Sequence, residues 1–550
     1  MINLGIDFGS TYTMVSVYKD DKPVTIPENN NSFNYPSVVA YDARNNRYYY
    51  GSGARNRIGK PNIRIYRGFK MLLNQQMAEE ELASRGYDDV NTPEHITSLF
   101  LRYVIDSTLN KIHEEKVNML VLGAPECWFQ SIRTVDARGV LRNICSEMKD
   151  LVEKVKIISE PTCAATLCVW NYERRRNESF EGHILVVDYG GGTLDTAVVS
   201  VSHYRNKLRI KPEARFGAGE NENGEIGKAG IAYQENVLKR AIRTALQIPA
   251  GQIRYTESFV QALRDFENTL ISDANIIDEV FEESLLDPAG LEEEMMNVTY
   301  EDSEIVITYK MLKESYEEVI RPVLKKVLDK TLKDVKDVND VHVALVGGFC
   351  NFYLVRKQVE EYFRLGQIGS RIRNLLHPED EREKAISNGA ALFAEGITDL
   401  CYVAEFGIGM YAVYEDGSVC KNYAISCGQE YVPGKVYFAC DTNGVPSPMV
   451  LVHKDRFILN FTRNPDHYLP MRPVNIFSER LDKTNAGYFV FVGFAIDENE
   501  RISVSIFPYE NSPKYRGPAR EPADVIDLLT IKDSFENTVP KWGITEGEEK

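Results

Sequence analysis

Hydrophobic and polar positions divide the chain into two parts of different style. Up to about residue 398, short apolar runs alternate with stretches whose apolar residues recur every three or four positions, a pattern typical of buried strands and amphipathic helices. Apolar strands beside helices predict sheets covered on their faces, and so an α/β domain. Strands are predicted in Ile2–Val17 (two, joined by a loop), Val117–Leu122, Ile184–Val187 and Val341–Val346, and helices in Pro93–Lys116, Ser131–Met148 and Tyr309–Lys333.

After about residue 399 the pattern changes to short alternating runs separated by turn residues, which predicts a β-rich second domain. Tyr488–Ile496 and Arg501–Phe507 are expected to form a hairpin. The end of the chain is rich in proline and charge and predicts at most one short helix, near Ala523–Asp533, with disorder from Lys541 onward. The predicted organisation is an α/β domain at 1–398, a linker at 399–405, a β-rich domain at 406–510 and a partly disordered tail at 511–550.

Composition narrows the class of protein. A length of 550 residues predicts two or more domains, and a formal net charge of −17 disfavours nucleic-acid binding, which needs a basic surface. Nine cysteines without a C-x-x-C pair read as reduced residues of a cytoplasmic protein. We expect no signal peptide and no membrane segment, since no apolar run approaches the roughly 20 residues that a bilayer requires.

One segment stands out by its charge. Ile276–Glu304 contains eleven Asp or Glu residues and no Lys or Arg, and it interrupts a helical region. The simpler interpretation is a solvated insertion loop or the outer edge of a subdomain. The alternative is a docking surface for a basic partner.

Two glycine-rich turns carry the strongest chemical signal. Asp7-Phe8-Gly9-Ser10-Thr11 and Asp188-Tyr189-Gly190-Gly191-Gly192-Thr193 each follow the end of an apolar strand. Glycine lets backbone N–H groups approach a phosphate, and an Asp beside such a turn suits Mg²⁺, usually through water. Two such turns predict a nucleotide held between two halves of one domain.

A third strand, Val341–Val346, ends in Gly347-Gly348 before a helix-like stretch, which is how a ligand is met at the carboxyl end of a strand. The three pieces resemble the actin-like ATPase superfamily and, within it, the seventy-kilodalton heat-shock chaperones of the DnaK type. The resemblance implies a two-lobed ATPase domain with ribonuclease-H-like halves. A β-sandwich-like peptide-binding domain would follow, without a helical lid.

The resemblance also implies roles for residues in the first half of the chain. Lys70, in Tyr66-Arg67-Gly68-Phe69-Lys70, matches the family's catalytic lysine, although alone it reads as a surface lysine. Glu160, in Ser159-Glu160-Pro161-Thr162, would stand in the water shell of the metal, beside Asp7. Pro125 and Arg133 match the family's switch proline and its arginine. The phosphate would contact Gly9, Ser10, Thr11 and Tyr12.

In the second half, Asp188 would position water or Mg²⁺ and Thr193 would reach the γ-phosphate. The stretch Phe349-Cys350-Asn351 departs from the family's Ser-x-Arg, so that Phe349 is either a stacking surface for the base or a core residue. The contacts to phosphate and nucleoside on this side would be Gly190, Gly191, Gly192, Gly230, Gly347, Gly348 and Phe349.

The predicted function is therefore that of a slow, Mg²⁺-dependent ATPase and chaperone-like protein. It would use ATP and ADP, bind unfolded or extended polypeptide, and work with a J-domain co-chaperone and a nucleotide-exchange factor. Two alternatives stay open at this point: a nucleotide-gated interaction or filament protein with little turnover, and a small-molecule kinase on the same fold.

Overall fold

The structure is a computed structural model, and the chain divides into two compact units, Met1–Gln130 with Ala137–Leu400, and Cys401–Lys550. The residues that the structure describes are 1–30, 32–73, 77–129, 137–204, 207–217, 229–254, 256–333, 341–364, 379–404, 407–413, 419–438, 440, 445–451, 456–462, 472–475, 488–498, 501–512 and 515–530.

The first half of unit one is built on a mixed sheet with strand order β3-β2-β1-β8-β9 and β4 beside β2. Strands β1 and β2 form an antiparallel hairpin, and β8 joins β1 in parallel. A second, three-stranded sheet has the order β6-β5-β7. The elements are β1 Ile2–Phe8, β2 Tyr12–Lys19, β3 Lys22–Ile26, β4 Tyr35–Pro36, β5 Val38–Asp42, β6 Arg47–Tyr50, α1 Gly51–Arg55, β7 Ile63–Arg67, α2 Phe69–Leu72, α3 Glu79–Ser84, α4 Pro93–Ile112, β8 Val117–Ala124, a 3₁₀ turn Glu126–Phe129, α5 Ala137–Glu147, β9 Val152–Ser159 and α6 Glu160–Arg176.

The second half of unit one repeats this plan. Its sheet has the order β15-β10-β11-β12-β16, with β10 and β11 as an antiparallel hairpin and β15 parallel to β10. The elements are β10 Gly182–Tyr189, β11 Leu194–Tyr204, β12 Lys207–Gly217, α7 Gly230–Leu246, a 3₁₀ turn Ala250–Gln252, α8 Glu257–Ser272, α9 Ala274–Glu283, a 3₁₀ turn Pro288–Glu292, β13 Glu294–Tyr300, β14 Ser303–Thr308, α10 Tyr309–Ser315, a π-helical turn Tyr316–Ile320, α11 Arg321–Lys333, β15 Val341–Val346, a 3₁₀ turn Gly348–Asn351, α12 Tyr353–Phe363, α13 Glu379–Glu395 and β16 Thr398–Leu400.

Separate apolar cores support the two sheets. One core joins β1, β2 and β8 to helix α4 and includes the buried Phe8 and Phe100. Another joins β10 and β15 to helices α7 and α8 and includes Tyr189 and Tyr233. A third lies around helices α6 and α13 and contacts strands of both sheets. The two halves of unit one are thus packed through shared helices, and the predicted α/β class is confirmed.

Unit two is a β structure throughout its described residues. One sheet has the order β19-β18-β23-β24, and another has β21-β25-β26-β27 with β22 on β25 and β28 on β26. The predicted hairpin is confirmed, because β25 and β26 pair antiparallel. The strands are β17 Tyr402–Val403, β18 Gly407–Val413, β19 Val419–Ile425, β20 Glu430–Tyr431, β21 Tyr437–Phe438, β22 Met449–Leu451, β23 Arg456–Thr462, β24 Arg472–Asn475, β25 Tyr488–Ile496, β26 Arg501–Ser512, β27 Tyr515–Pro518 and β28 Asp524–Thr530.

Several expectations need correction. The predicted helix near Ala523–Asp533 is wrong, because Asp524–Thr530 forms strand β28 on β26. For the acidic segment Ile276–Glu304 the loop interpretation is wrong, since the segment holds most of helix α9 and the hairpin strand β13, whereas the outer edge of a subdomain and the docking surface stay predictions. At the predicted linker 399–405, Thr398–Leu400 pairs with β12 and Tyr402–Val403 pairs with β20, and its role as a linker stays a prediction.

The boundaries of the domains and the absence of a lid stay predictions. Strands β27 and β28 extend the β-rich part beyond residue 510. Arg133, Glu405, Phe406 and the residues from Lys541 onward lie outside the described residues. Within the described part of the chain, none of the helices combines the length and the apolar character that crossing a lipid bilayer requires.

Candidate functional site

The two predicted turns lie at equivalent places in the two halves of unit one. Asp7 stands opposite Gly123 in the parallel pair β1–β8, and Asp188 stands opposite Val346 in the parallel pair β10–β15. Each Asp is therefore at the carboxyl end of a central strand, where the backbone turns away and leaves N–H groups for a ligand.

Lys70 and Glu160 form a buried ion pair beside these turns. The Lys70 Nζ donates to Glu160 Oε1 at 2.6 Å, and the two side chains are 3% and 5% exposed. Lys70 lies in the short helix α2, and Glu160 is the first residue of α6, directly after strand β9. A pair buried to this degree loses its hydration, so a structural role alone gives it little net stability.

The electrostatics tie the four residues to one centre. Burial raises the pKa of Asp7 to about 8, with Glu160 adding to the rise and Lys70 opposing it. Burial also raises the pKa of Asp188 well above its usual range, with further repulsion from Glu160, Asp195 and Asp7. Burial alone would lower the pKa of Lys70, but the carboxylates of Glu160 and Asp7 raise it. Several carboxyl groups thus compete for one cation, and such a centre attracts further positive charge.

A divalent metal fits this charge pattern. Among the described residues, no three His, Cys, Asp or Glu side chains are close enough to chelate one ion directly. Mg²⁺ keeps several of its own waters and needs only one or two carboxylates nearby. The carboxyls of Asp7, Asp188 and Glu160 suit an ion held through its water shell, and the metal assignment stays a prediction.

The two turns face each other closely. A Cβ atom on Gly191 would lie 2.4 Å from Thr11 Oγ1, and one on Gly192 would lie 2.6 Å from Ser10 Oγ. The hydroxyl of Thr11 is buried and has no hydrogen-bond partner among the described residues. A buried hydroxyl without a partner is costly, so its position favours a ligand that would accept or donate there.

The first turn is fixed by close packing against Tyr12 and by two hydrogen bonds from Ser37. A Cβ on Gly9 would lie 2.1 Å from the backbone oxygen of Tyr12. The Ser37 hydroxyl donates to Gly9 O at 2.7 Å, and Ser37 N donates to Thr11 O at 2.8 Å. In the second turn Gly190 N donates to Thr193 O at 3.0 Å. Both turns are therefore fixed before any ligand arrives.

The glycine pair Gly347-Gly348, which follows strand β15, lies next to the second turn. Gly347 has φ +84°, and a Cβ there would lie 2.5 Å from Asp188 Oδ1, so this position excludes other residues on both counts. Gly348 faces open space. At the start of α7, Gly230 N donates to Gly190 O at 3.3 Å. The structure thus brings together the predicted residues of the second half.

Phe349 is half-buried and belongs to an aromatic cluster. Its ring centroid lies 5.0 Å from that of Tyr189, 5.3 Å from Tyr233 and 5.6 Å from Phe352. A Cβ on Gly230 would lie 3.4 Å from Phe349 Cγ. The ring therefore helps to build the core and also borders the site, and both interpretations of Phe349 remain open.

Sequence reasoning missed the arginines of this region. Arg55 Nη1 donates to the Tyr12 hydroxyl at 2.8 Å, and Arg67 and Arg264 line the same cavity beside the first turn. These residues belong to α1, β7 and α8, so no local motif connects them. The signal available was that residues 43–78 contain eight Lys or Arg and no Asp or Glu in an acidic protein.

Comparison with known proteins identifies similar chains. A family model described as Hsp70 protein matches residues 3–211. The heat shock 70 kDa protein 2 of Paracoccidioides lutzii is 22% identical over 417 residues, which covers 71% of this chain and 57% of that protein. The heat shock cognate HSP70 protein of Trypanosoma brucei brucei is 25% identical over 418 residues, with coverage of 70% and 55%.

A bacterial protein matches to a similar extent. The chaperone protein DnaK of Thermus thermophilus is 24% identical over 418 residues, which covers 71% of this chain and 60% of that protein. The alignments thus span between 55% and 60% of the length of these relatives.

Proposed function

We propose that this chain, which matches an Hsp70 family model over residues 3–211 and is similar to heat shock 70 kDa and DnaK proteins, is an ATP-hydrolysing, chaperone-like protein of the heat shock protein 70 family. Its nucleotide state would be coupled to the binding of extended or unfolded polypeptide. The observation that carries the proposal is the meeting of two glycine turns, one from each half of unit one, beside the buried Lys70–Glu160 pair. A nucleotide that binds both turns would draw the two halves together.

The residues divide the work of phosphoryl transfer. The N–H groups of Gly9–Tyr12, Gly191 and Gly192 would hold the phosphate oxygens, with Gly190 beside them, and Thr193 would reach the terminal phosphate. Lys70 would neutralise charge on that phosphate and orient the attacking water. Asp7, Glu160 and Asp188 would hold the waters of Mg²⁺, which supplies further neutralisation of the phosphate charge when it is bound. Gly230, Gly347, Gly348 and Phe349 would contact the nucleoside.

The remaining parts of the proposal concern partners. The β strands of unit two would bind an extended peptide, and residues 399–405 would transmit the nucleotide state. A J-domain co-chaperone and a nucleotide-exchange factor would act on a slow cycle in the cytoplasm. These assignments rest on the family resemblance.

Steady-state ATP hydrolysis by the purified chain, with and without an extended apolar peptide, tests the proposal. We expect slow, Mg²⁺-dependent turnover that rises with peptide and falls by at least about a hundredfold in Lys70→Ala and Asp188→Asn. Lys70→Ala leaves Glu160 buried without its partner and is expected to lower stability, so Lys70→Ala/Glu160→Ala serves as the folded comparison.

The outcomes separate the candidate functions. Turnover equal in the parent chain and in the folded double variant would overturn the ATPase. Tight nucleotide binding without turnover would instead indicate a nucleotide-gated interaction protein. Exposed Arg243 provides a neutral control, because Arg243→Gln changes one charge on α7 away from the carboxylates.

A further inference from the structure

A cavity lies beside the first glycine turn, apart from the Lys70–Glu160 pair. Its polar lining consists chiefly of Ser10, Thr11, Arg55, Arg67, Arg264 and Glu267. The arginines come from three elements: Arg55 ends α1, Arg67 ends β7, and Arg264 lies in α8. Three guanidinium groups thus surround one cavity in a chain whose net charge is −17.

The cations of this cavity exceed its anions. Glu267 is the carboxylate nearest to them, and its Oε2 stands 4.0 Å from Arg55 Nη2 and 3.8 Å from Arg67 Nη2. These separations are too long for hydrogen bonds, so one carboxylate partly balances two guanidinium groups. An excess of positive charge therefore remains in the cavity.

The donors of two arginines are unused. Arg55 donates to Tyr12 and, through Nη2, to Asn268 Oδ1 at 2.8 Å. The Arg67 side chain makes the long ion pair with Glu267 and no hydrogen bond within the described part of the chain, and Arg264 Nε is buried there without a partner. A buried guanidinium N–H without an acceptor is costly unless a ligand supplies one.

One further donor points to the same kind of ligand. The Thr11 hydroxyl is buried and unpartnered, as described above. Ile231, in the first turn of helix α7, also lines the cavity, but its N–H already donates to Gly191 O at 2.8 Å and is not available to a ligand. The cavity thus combines guanidinium groups with a buried hydroxyl that has no partner among the described residues.

We propose that this cavity is an oxyanion site that accepts one phosphate group, with Arg67 and Arg264 as its principal ligands. The guanidinium fork matches the oxygen spacing of a phosphate and forms paired, charge-assisted hydrogen bonds. The phosphate is either one carried by a bound nucleotide or the free inorganic phosphate of turnover. The role in turnover rests on the proposed function, whereas binding of phosphate does not.

Titration of the full chain with inorganic phosphate, followed by ³¹P NMR and calorimetry, tests the site. In Arg67→Gln and in Arg264→Gln the dissociation constant is expected to rise about tenfold, and in the double variant about a hundredfold. Arg67→Lys keeps the charge but loses the fork, and is expected to lie between the parent and Arg67→Gln. Arg243→Gln, an exposed arginine of α7, is the matched control and should bind like the parent.

Thermal melting of each variant establishes that it is folded before titration. A parent chain that binds no phosphate, or arginine variants that bind as tightly as the parent, would overturn the site.

A second titration, in saturating ADP, distinguishes the two sources. Phosphate that still binds beside ADP identifies a site for free phosphate, and phosphate displaced by ADP identifies a site for a phosphate of the nucleotide. Both results support the site. If the chain binds phosphate through these arginines but does not hydrolyse ATP, the ATPase proposal is wrong and the oxyanion site is still supported.

Discussion

The two glycine turns of unit one occupy the same place in two similar half-domains and yet differ in the two residues that follow their shared glycine. Each follows the first strand of a hairpin, each begins with an Asp, and each has glycine two residues later. Beyond that glycine the first turn has Ser10 and Thr11, where the second has Gly191 and Gly192.

The two turns are complementary in shape. The spaces left by Gly191 and Gly192 are filled by the hydroxyls of Thr11 and Ser10, since a Cβ at either glycine would overlap them. The first turn therefore contributes side chains and the second contributes room and backbone N–H groups. A pair of identical turns would either clash or leave a gap where the two halves meet.

The glycines at equivalent positions provide the largest test of the comparison. A Cβ on Gly9 would lie 2.1 Å from a backbone oxygen, whereas one on Gly190 would meet no atom closer than 3.9 Å. Gly9→Ala must therefore open the first turn, and we expect nucleotide affinity to fall by about a hundredfold or more. Fluorescence titration with a labelled ATP analogue measures the change.

Gly190→Ala is the control for this test. It adds the same methyl group at the equivalent place in the second turn, where there is space, and keeps the N–H that bonds Thr193 O. We expect affinity within about threefold of the parent. Equal losses in the two variants would show that the turns are alike and that the contrast drawn from their packing is wrong.

The features of the site that could be predicted are those encoded by short motifs of consecutive residues. An apolar strand that stops at Asp-x-Gly identifies both turns, and the Glu160-Pro161 step identifies the start of α6. Arg67 and Arg264 could not be found this way, because they meet only when β7 and α8 pack around the first turn. Side chains that converge from distant elements leave no spacing in the sequence.

Strand β28 shows a second limit. Residues near Ala523–Asp533 have apolar positions that fit a short helix, yet Asp524–Thr530 pairs with β26 from Arg501 to Ile506. Pairing with an existing sheet edge satisfies the backbone groups of the segment that face β26, and this outweighs a weak local preference. Propensity alone carries little information for a segment of seven residues.

Asp7, at the start of the first turn, predicts an effect of intermediate size on how the stability of the protein depends on pH. The pKa of Asp7 is raised from an ordinary 3.8 to about 8, so the unfolded chain releases this proton first as the pH rises. Without metal, this carboxyl therefore makes folding less favourable from about pH 4 to about pH 8 and has a constant effect above. Asp7→Asn should stabilise the metal-free protein at pH 8 by more than about 1 kcal/mol, with a much smaller gain at pH 4. Thermal melting in a chelator at the two pH values measures it.

The same group predicts how metal binding depends on pH. Mg²⁺ must displace the Asp7 proton, so Mg²⁺-dependent affinity for ATP should increase between about pH 6 and about pH 9 in the parent chain. Asp7→Asn should lose the metal dependence as well as the pH dependence. A parent chain whose affinity is flat over this range would place Asp7 outside the metal's water shell.

The smallest test concerns the hydroxyls that the first turn alone supplies. Thr11 Oγ1 is buried without a partner, so Thr11→Val removes an unsatisfied group at nearly constant volume and should stabilise the ligand-free chain by about 1 kcal/mol. The same change should weaken phosphate or nucleotide binding by about tenfold, because the ligand loses that partner. Chemical denaturation and titration of one preparation measure both effects. A substitution that stabilises the empty protein while it weakens binding identifies a hydroxyl held ready for a ligand, whereas a loss of stability would mean that Thr11 serves packing between the two turns.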